Sequence, residues 1–310
     1  MKVEVVLTEA DLAQEFTEAF EARDLPEKFY YWFPRSAADW AVLAADPELY
    51  GGLAATWKEL GSGARELASE YHGRVPVISF GAGDGARDAV LLGALKDAGS
   101  ECLYFPVDSS QGLLELAAAK AEDNDIETTC IKADISSPVH LVYAADAADP
   151  PRLFVLSGNT ISSLDPLAEV RYVAQCMKPG DRLIVDGEIH HAQQTLERIT
   201  RPAVRNFIWA LLEGVGIQQT DGELRFNEKH DERHEGLHLI TRYFRAETDL
   251  SATVVARNIE LQRGERIGLN FQYAYSPDAF RWLLTEHGGL DLVRMHLSPD
   301  GRFLTAVCKK

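Results

Sequence analysis

The stretch Val77-Ile78-Ser79-Phe80-Gly81-Ala82-Gly83-Asp84-Gly85-Ala86-Arg87-Asp88 decides the fold. A short apolar run ends in three alternating glycines, and an Ala/Leu-rich helical pattern follows to about residue 98. The order is strand, tight turn, helix. Glycine suits such a turn because it reaches positive φ and lets a ligand approach the backbone, while the helix start offers unpaired N–H groups. The loop therefore reads as a cofactor cradle. Gly81, Gly83 and Ala86 also satisfy the dinucleotide fingerprint, so the loop alone fits NAD or FAD as well as S-adenosylmethionine (SAM). A second apolar run, 103–107, ends in Asp108 followed by Ser109, where a carboxylate meets ribose hydroxyls. A third, 128–133, ends in Asp134 followed by Ile135, better suited to the adenine end of SAM than to a pyrophosphate. A plainer role for both acids is helix capping.

The 310 residues, 46% of them hydrophobic, suffice for one large or two modest domains. A formal net charge of −17, with no Lys/Arg-rich run, argues against nucleic acid or anionic membranes as partners and for a small neutral or cationic substrate. Cys102, Cys130, Cys176 and Cys308 are widely separated, which predicts reduced buried thiols and no metal-spaced pair. Neither a signal peptide nor a membrane span is expected, so a cytoplasmic location is.

Residues 1–74 read mainly as helices, with a stripe at Leu12, Phe16, Ala19 and Phe20 and then a crowd of aromatic residues. Most of these rings are expected in a core, with Tyr31 and Tyr50 the exceptions that face a pocket. From 74 to 188, strands at 77–80, 102–107, 128–133, 153–157 and 182–187 alternate with helical segments, which specifies a doubly wound parallel sheet binding ligands beyond the strands' carboxyl ends. The fourth strand ends in Ser157-Gly158-Asn159, part of a small polar loop at that mouth. The fifth ends in Asp186-Gly187-Glu188-Ile189-His190-His191, a titratable cluster that lacks a third spaced metal ligand. Residues 195–285 read as an insertion with a helix at 201–215 and strands at 223–229, 236–244, 252–262 and 265–275. His230, His234 and His238 within it read as surface residues, and no metal is expected. A hairpin, 290–297 with 303–308, closes the chain. The expected domains are 1–74 as the helical part of a substrate lobe, 75–190 with 286–310 as the cofactor domain, and 191–285 as an inserted α+β lobe.

With these elements placed, the chain resembles the histidine-specific, SAM-dependent methyltransferase family. That family trimethylates the α-amino group of histidine on the way to ergothioneine and includes fungal N-methyltransferases of prenylated tryptophan. The likeness runs from about residue 25 to the C-terminus. It rests on Leu-Pro-Glu-Lys-Phe-Tyr-Tyr at 25–31, Asp-Pro-Glu-Leu-Tyr at 46–50, the glycine loop, and Phe-Pro-Val-Asp at 105–108. Further along stand Leu-Ser-Gly-Asn-Thr-Ile at 156–161, Lys-Pro-Gly-Asp at 178–181, Tyr-Ser-Pro-Asp-Ala-Phe at 275–280 and Asp-Gly-Arg-Phe at 300–303. The resemblance implies the α/β class I methyltransferase (Rossmann-like) fold, to which the terminal antiparallel hairpin belongs, and SAM as cofactor. SAM contacts would fall on Gly81, Ala82, Gly83, Asp84, Gly85, Arg87 in place of a lysine, Asp108, Ser109, Asp134, Ile135, Ser157 and Gly158. The family's substrate tyrosine falls on Tyr50, but its amino-acid-binding asparagine falls on Ser163, and its imidazole-binding glutamate and serine fall on Asn270 and Gln272. The site thereby loses a fixed charge, and loss of such a carboxylate shifts specificity strongly.

The expected function is N-methylation of a small amine or amino-acid-derived acceptor other than free histidine, with Tyr31, Tyr50, Asn159, Ser163, Asn270 and Gln272 around it. An amine with a pKa near 8 needs little base catalysis, whereas a hydroxyl needs a general base. Glu188, His190 and His191 are the pocket candidates for that, with no proton assigned. An O-methyltransferase, a non-catalytic SAM-binding subunit and a nicotinamide oxidoreductase are the other readings. A monomer or homodimer is expected.

Overall fold

The chain opens with β1 (Lys2–Val5), α1 (Glu9–Glu21), β2 (Asp24–Leu25), α2 (Pro34–Ala44), α3 (Pro47–Ser62) and α4 (Ala64–Ser69). Then β3 (Arg74–Phe80), α5 (Ala86–Asp97), β4 (Glu101–Asp108), α6 (Gln111–Glu122), β5 (Glu127–Lys132), α7 (Pro138–Ala145), β6 (Leu153–Leu156), α8 (Pro166–Cys176) and β7 (Arg182–Glu188) alternate. After α9 (Ala192–Ile199) and α10 (Pro202–Glu213) come β8 (Gly222–His230), β9 (Leu237–Ala246), β10 (Leu250–Val254), β11 (Arg257–Leu261) and β12 (Arg266–Tyr275). The chain ends with α11 (Pro277–Trp282), β13 (Asp291–Leu297) and β14 (Phe303–Lys309). This structure, a computed structural model, describes residues 1–71 and 73–310, and their side chains except those at 193, 194 and 196.

An eight-stranded sheet runs β1-β5-β4-β3-β6-β7-β14-β13, parallel from β1 to β7 and antiparallel across the terminal hairpin. β3 is buried from Val75 to Phe80 because helices cover both faces, which is why it reads as an unbroken apolar run. One face packs Leu53, Trp57, Leu91 and Leu92, and the other packs Leu141, Val170, Val173 and Phe280. A second sheet, β2-β12-β9-β8, shares a third core with α1 and α10 through Phe16, Phe20, Phe207, Leu211 and Phe244. Residues before 50 and residues 204–269 thus share one core. The four cysteines are buried free thiols, and among the described residues no helix is long and apolar enough to cross a membrane.

Residues 1–74 are mainly helical, as expected, with two short strands that were not: β1 adds to the sheet edge beside β5, pairing Val3 with Cys130, and β2 extends the second sheet. Edge pairing supplies the backbone partners that a four-residue strand with charged side chains could not signal alone. Residues 252–262 are not one strand but the hairpin β10–β11, turning at Val255 with φ +55°. No Gly or Asn marks that turn, so the apolar run hid it.

The Lys-Pro-Gly-Asp segment at 178–181 is structural. Buried Asp181 accepts from the Lys178 and Arg152 amides, each at 2.7 Å, and from the Arg152 guanidinium, also at 2.7 Å. Arg152 in turn donates to the carbonyls of Ala145 and Cys176. This pins the sheet at the end opposite the glycine loop.

Glu169 on α8 is nearly inaccessible, and its Oε1 has no hydrogen-bond partner. Burial, with the Asp134 charge adding to it, pushes its carboxyl up to about 8. The native state therefore holds this proton while the unfolded chain releases it, so stability falls as pH rises from the ordinary carboxylate range toward 8. Glu169→Gln should flatten that slope and raise the melting temperature at pH 8 by at least about 2 °C, with little change near pH 4. Thermal melts of both proteins across pH 4–9 check this.

Candidate functional site

A cavity of about 270 Å³ lies beyond the carboxyl ends of β3 to β6, where a doubly wound sheet binds its ligand. Gly81 and Gly83 form its floor with φ of +66° and +56°. A Cβ on Gly81 would come within 2.7 Å of Thr160 Cγ2, and one on Gly83 within 2.4 Å of Trp40 Cη2. Only glycine leaves this backbone accessible. Asp108, at the tip of β4, accepts from the Gly83 amide at 3.0 Å and the Ser110 amide at 2.9 Å, tying the loop to the strand. Burial pushes its carboxyl up to about 6, with those amides and that of Ser109 pulling the other way.

Asp134 lines the cavity next to Ile135 and accepts from the Ser136 amide and hydroxyl at 2.8 and 2.7 Å. Its other oxygen pairs with Lys28 Nζ at 2.6 Å. Burial works to raise this carboxyl, but the Lys28 ammonium and Ser136 outweigh it and hold it low. Ser109 and Gly158 complete this side.

The opposite wall holds Tyr31, Tyr50, Asn159, Ser163, Asn270 and Gln272, all of which the structure brings into one cavity. A bulge in β12 between Gly268 and Phe271 breaks the strand's alternation, and Asn270 takes φ +57° there. Bulges re-aim side chains in this way, and asparagine tolerates the conformation. The Asn270 amide nitrogen donates to the Glu27 carboxylate, which also accepts from Tyr31 Oη at 2.5 Å. Arg242 Nη2 stands 3.7 Å from Glu27. The expectation that positions 270 and 272 leave the site without a fixed charge is therefore corrected: a carboxylate is supplied by the turn after β2. Gln272 Nε2 donates to Glu188 Oε2 at 2.6 Å, which fixes the orientation of its amide.

Several expected contacts lie one layer back. The Ala82 amide is spent on the Val107 carbonyl. Asp84 turns away to Lys120, 2.6 Å distant, and caps the Ala86 amide. Gly85, at φ +69°, sits against Ala117 of α6. Ser157 Oγ is 3.5 Å from the buried Asp88 carboxylate. Arg87 lies 5.4 Å from the Tyr50 ring centroid and beside Gly158, and its buried Nε has no partner. None of these five lines the cavity.

Nor do the titratable candidates. Glu188 is buried in a forked pair with Arg198, whose Nε donates at 2.8 Å. His191 faces outward, its Nε2 3.0 Å from the Gly301 carbonyl. His190 leaves toward the second sheet, where its Nε2 meets Glu228 Oε1 at 2.5 Å and its ring stacks on His238 at 3.4 Å. His238 is thus half-buried, not the surface residue expected. Burial, then the neighbouring imidazoles of His190 and His230, pushes it down to about 4.

The sequence reading missed Glu27, Lys28, Trp40, Arg198 and Arg242 as lining residues. For Glu27 and Lys28 a signal existed, since both stand inside the segment at 25–31 that carries the family likeness.

A model of the family described as "histidine-specific methyltransferase, SAM-dependent" matches residues 21–310. A search of curated proteins returned no match. Among solved structures, the chain is similar to the DhpI-SAM-HEP complex at 13% identity and a TM-score of 0.47, over 95% of this chain and 98% of that one. It is also similar to SAM-bound CalS10, an amino pentose methyltransferase from Micromonospora echinaspora, at 10% identity and 0.41, over 84% and 94% of the two chains. A SAM-dependent methyltransferase from Clostridium acetobutylicum aligns at 14% identity and 0.39, over 76% and 84%. The glycines fit a bound SAM because a Cβ would fill their cradle, and Asp108 offers the carboxylate beside it. With the family matched over nearly the whole chain, the protein belongs to the histidine-specific, SAM-dependent methyltransferase family and is a SAM-dependent methyltransferase of the class I fold.

Proposed function

We propose that this methyltransferase N-methylates a small amine or amino-acid derivative other than free histidine. The observation that supports this most directly is the Glu27 carboxylate, held inside the cavity by Tyr31 and Asn270. An acceptor N–H or ammonium can share it, and a carboxylate retained in a partly buried cavity favours a cationic or donor-rich ligand. Its position supports a change of substrate: the charge enters from the turn after β2 instead of from position 270, so an imidazole seated for the family's glutamate would meet two amides. Ser163, smaller than the family's asparagine, leaves room for a different backbone placement of the acceptor.

SAM, when bound, supplies a sulfonium methyl whose S–C bond breaks as the acceptor's N–C bond forms, leaving S-adenosylhomocysteine. The work of this chain is alignment and exclusion of water. Gly81, Gly83 and Gly158 would carry the cofactor's backbone contacts, Asp108 its ribose, and Asp134 with Ile135 its adenine. Tyr31, Tyr50, Phe207 and Trp40, which line the cavity, would shield the reacting end. Burial and the Glu27 charge raise Tyr31 well above its ordinary value, so its hydroxyl stays protonated and serves as a donor. Of the groups first considered for deprotonating a hydroxyl, Glu188, His190 and His191 all lie outside the cavity, and an amine that arrives partly deprotonated needs none of them.

Four outcomes are expected. Asp108→Asn should weaken SAM by roughly 10- to 100-fold through loss of charge-assisted hydrogen bonds. In the wild type alone, SAM affinity should also fall as pH drops through about 6, since the protonated carboxyl accepts fewer bonds. Calorimetry at pH 5 and 8 measures both. Glu27→Gln should raise the acceptor's KM by roughly 10-fold or more while leaving SAM affinity unchanged. Finally, a panel of amino acids and amines, read by S-adenosylhomocysteine release and product mass, should yield an N-methylated product faster than from L-histidine. Equal turnover of free histidine would overturn the substrate reading.

A further inference from the structure

We propose that His190, Glu228 and His238 bind one divalent transition metal, with zinc the best match, at the joint between the main sheet and the second sheet. The three residues come from separate elements: His190 follows β7, Glu228 lies on β8 and His238 on β9. The β8–β9 register sets His230 opposite His238, and Glu228, two residues before His230, shares that strand face. His190 is brought over the same face because its amide donates to the Tyr275 carbonyl at 2.9 Å, next to the bridge between Ile189 and Tyr275.

The donor atoms converge. His190 Nε2 is 2.5 Å and His238 Nδ1 is 3.7 Å from Glu228 Oε1, and the ligating atoms of all three lie within 4.8 Å of one another. Zinc takes imidazole nitrogen and carboxylate oxygen at about 2.0–2.2 Å, so tetrahedral ligands stand roughly 3.3–3.5 Å apart. His238 and Glu228 stand near that spacing, while His190 and Glu228, in hydrogen-bond contact, would move apart to admit the ion. Two imidazoles and one carboxylate are a common zinc donor set, and nitrogen-rich sites of this kind favour Zn²⁺, Co²⁺ or Ni²⁺ over Mg²⁺ or Ca²⁺. A metal lies in the plane of each imidazole it binds, whereas the two rings here are parallel within 5°. Binding would turn them out of the stack, and their partial exposure, 13% for each side chain, gives the room. Water or His230, whose ring centroid is 4.5 Å from that of His238, would complete the sphere.

None of the three lines the methyl-transfer cavity, so the site is independent of the acceptor. Its ligands span the two sheets, and an ion there would cross-link them.

Co²⁺ is the probe. Titrated into the full-length protein after EDTA treatment and dialysis, it should give visible d–d bands saturating at one equivalent, which Zn²⁺ then abolishes by displacement. Glu228→Gln and His238→Ala should each lower Co²⁺ affinity by roughly 10- to 100-fold or more, and Zn²⁺ should raise the melting temperature of the wild type but not of these variants. His191→Ala, which alters the exposed neighbouring imidazole, should leave the bands unchanged. Circular dichroism checks folding, and His190→Gln replaces any variant that fails it. Absence of the bands in the wild type at a tenfold excess of Co²⁺ overturns the proposal. So does their persistence in the Glu228→Gln and His238→Ala proteins.

Discussion

A carboxylate removed from water must find its donors in the protein, and Asp186 near the end of β7 has drawn two segments around itself to do so. Its oxygens accept from Trp57 Nε1 of α3 at 2.9 Å and from the Gly158 and Asn159 amides at 3.0 and 2.5 Å. Burial, opposed by Arg87 and these donors, raises its carboxyl. The two amides can converge only because Gly158 and Asn159 both take positive φ, +79° and +65°. Held in that turn, Asn159 points its Oδ1 inward to accept from the Ser162 hydroxyl and the Glu188 amide. The cavity wall, the turn after β6 and the buried Glu188–Arg198 pair all hang from this one anion. Replacing it would leave two amides and an indole N–H unpaired in a dry interior, a cost of the order of 1–3 kcal/mol for each.

The cavity is a meeting of opposite charges. Asp24, Glu27, Asp108, Asp134 and Asp165 line it together with Lys28, Arg198 and Arg242. For a chain of net charge −17 this matters, because Glu27, Asp108, Asp134 and Asp165 each have hydrogen-bond or ion-pair partners and are not left to repel an approaching ligand. Lys28 neutralises Asp134, while Glu27 sits between donors from Tyr31, Asn270 and Arg242.

The main sheet was legible in the sequence because a parallel strand covered on both faces leaves an apolar run, and because glycines at alternating positions have few other uses. That Tyr50, Ser163, Asn270 and Gln272 line one cavity was legible too, through family likeness. What escaped was relational. Glu27 and Asn270 are 243 residues apart, and their contact depends on a bulge that no local pattern announces. β1 carries too little apolar signal to be read without the strand it pairs with. The Glu188–His191 run looked like one cluster because its residues are consecutive. But β7 ends at Glu188, and the chain bridges to β12 at Ile189 before α9 begins, so Glu188 goes to Arg198, His190 to Glu228 and His191 to Gly301.

The lobe above the cavity is made of two distant pieces of chain sharing one core. The polypeptide crosses between the lobe and the main sheet near Thr8, near Asp46, after His190 and again before Ser276. A lid on a single hinge can swing freely, but a body moored at several separated points can only flex or slide by amounts its tethers permit. Such mooring would favour exchange of substrate and product through gaps between side chains at the rim. The rim residues, more than any interlobe angle, would set how large an acceptor can enter and how quickly a methylated one departs.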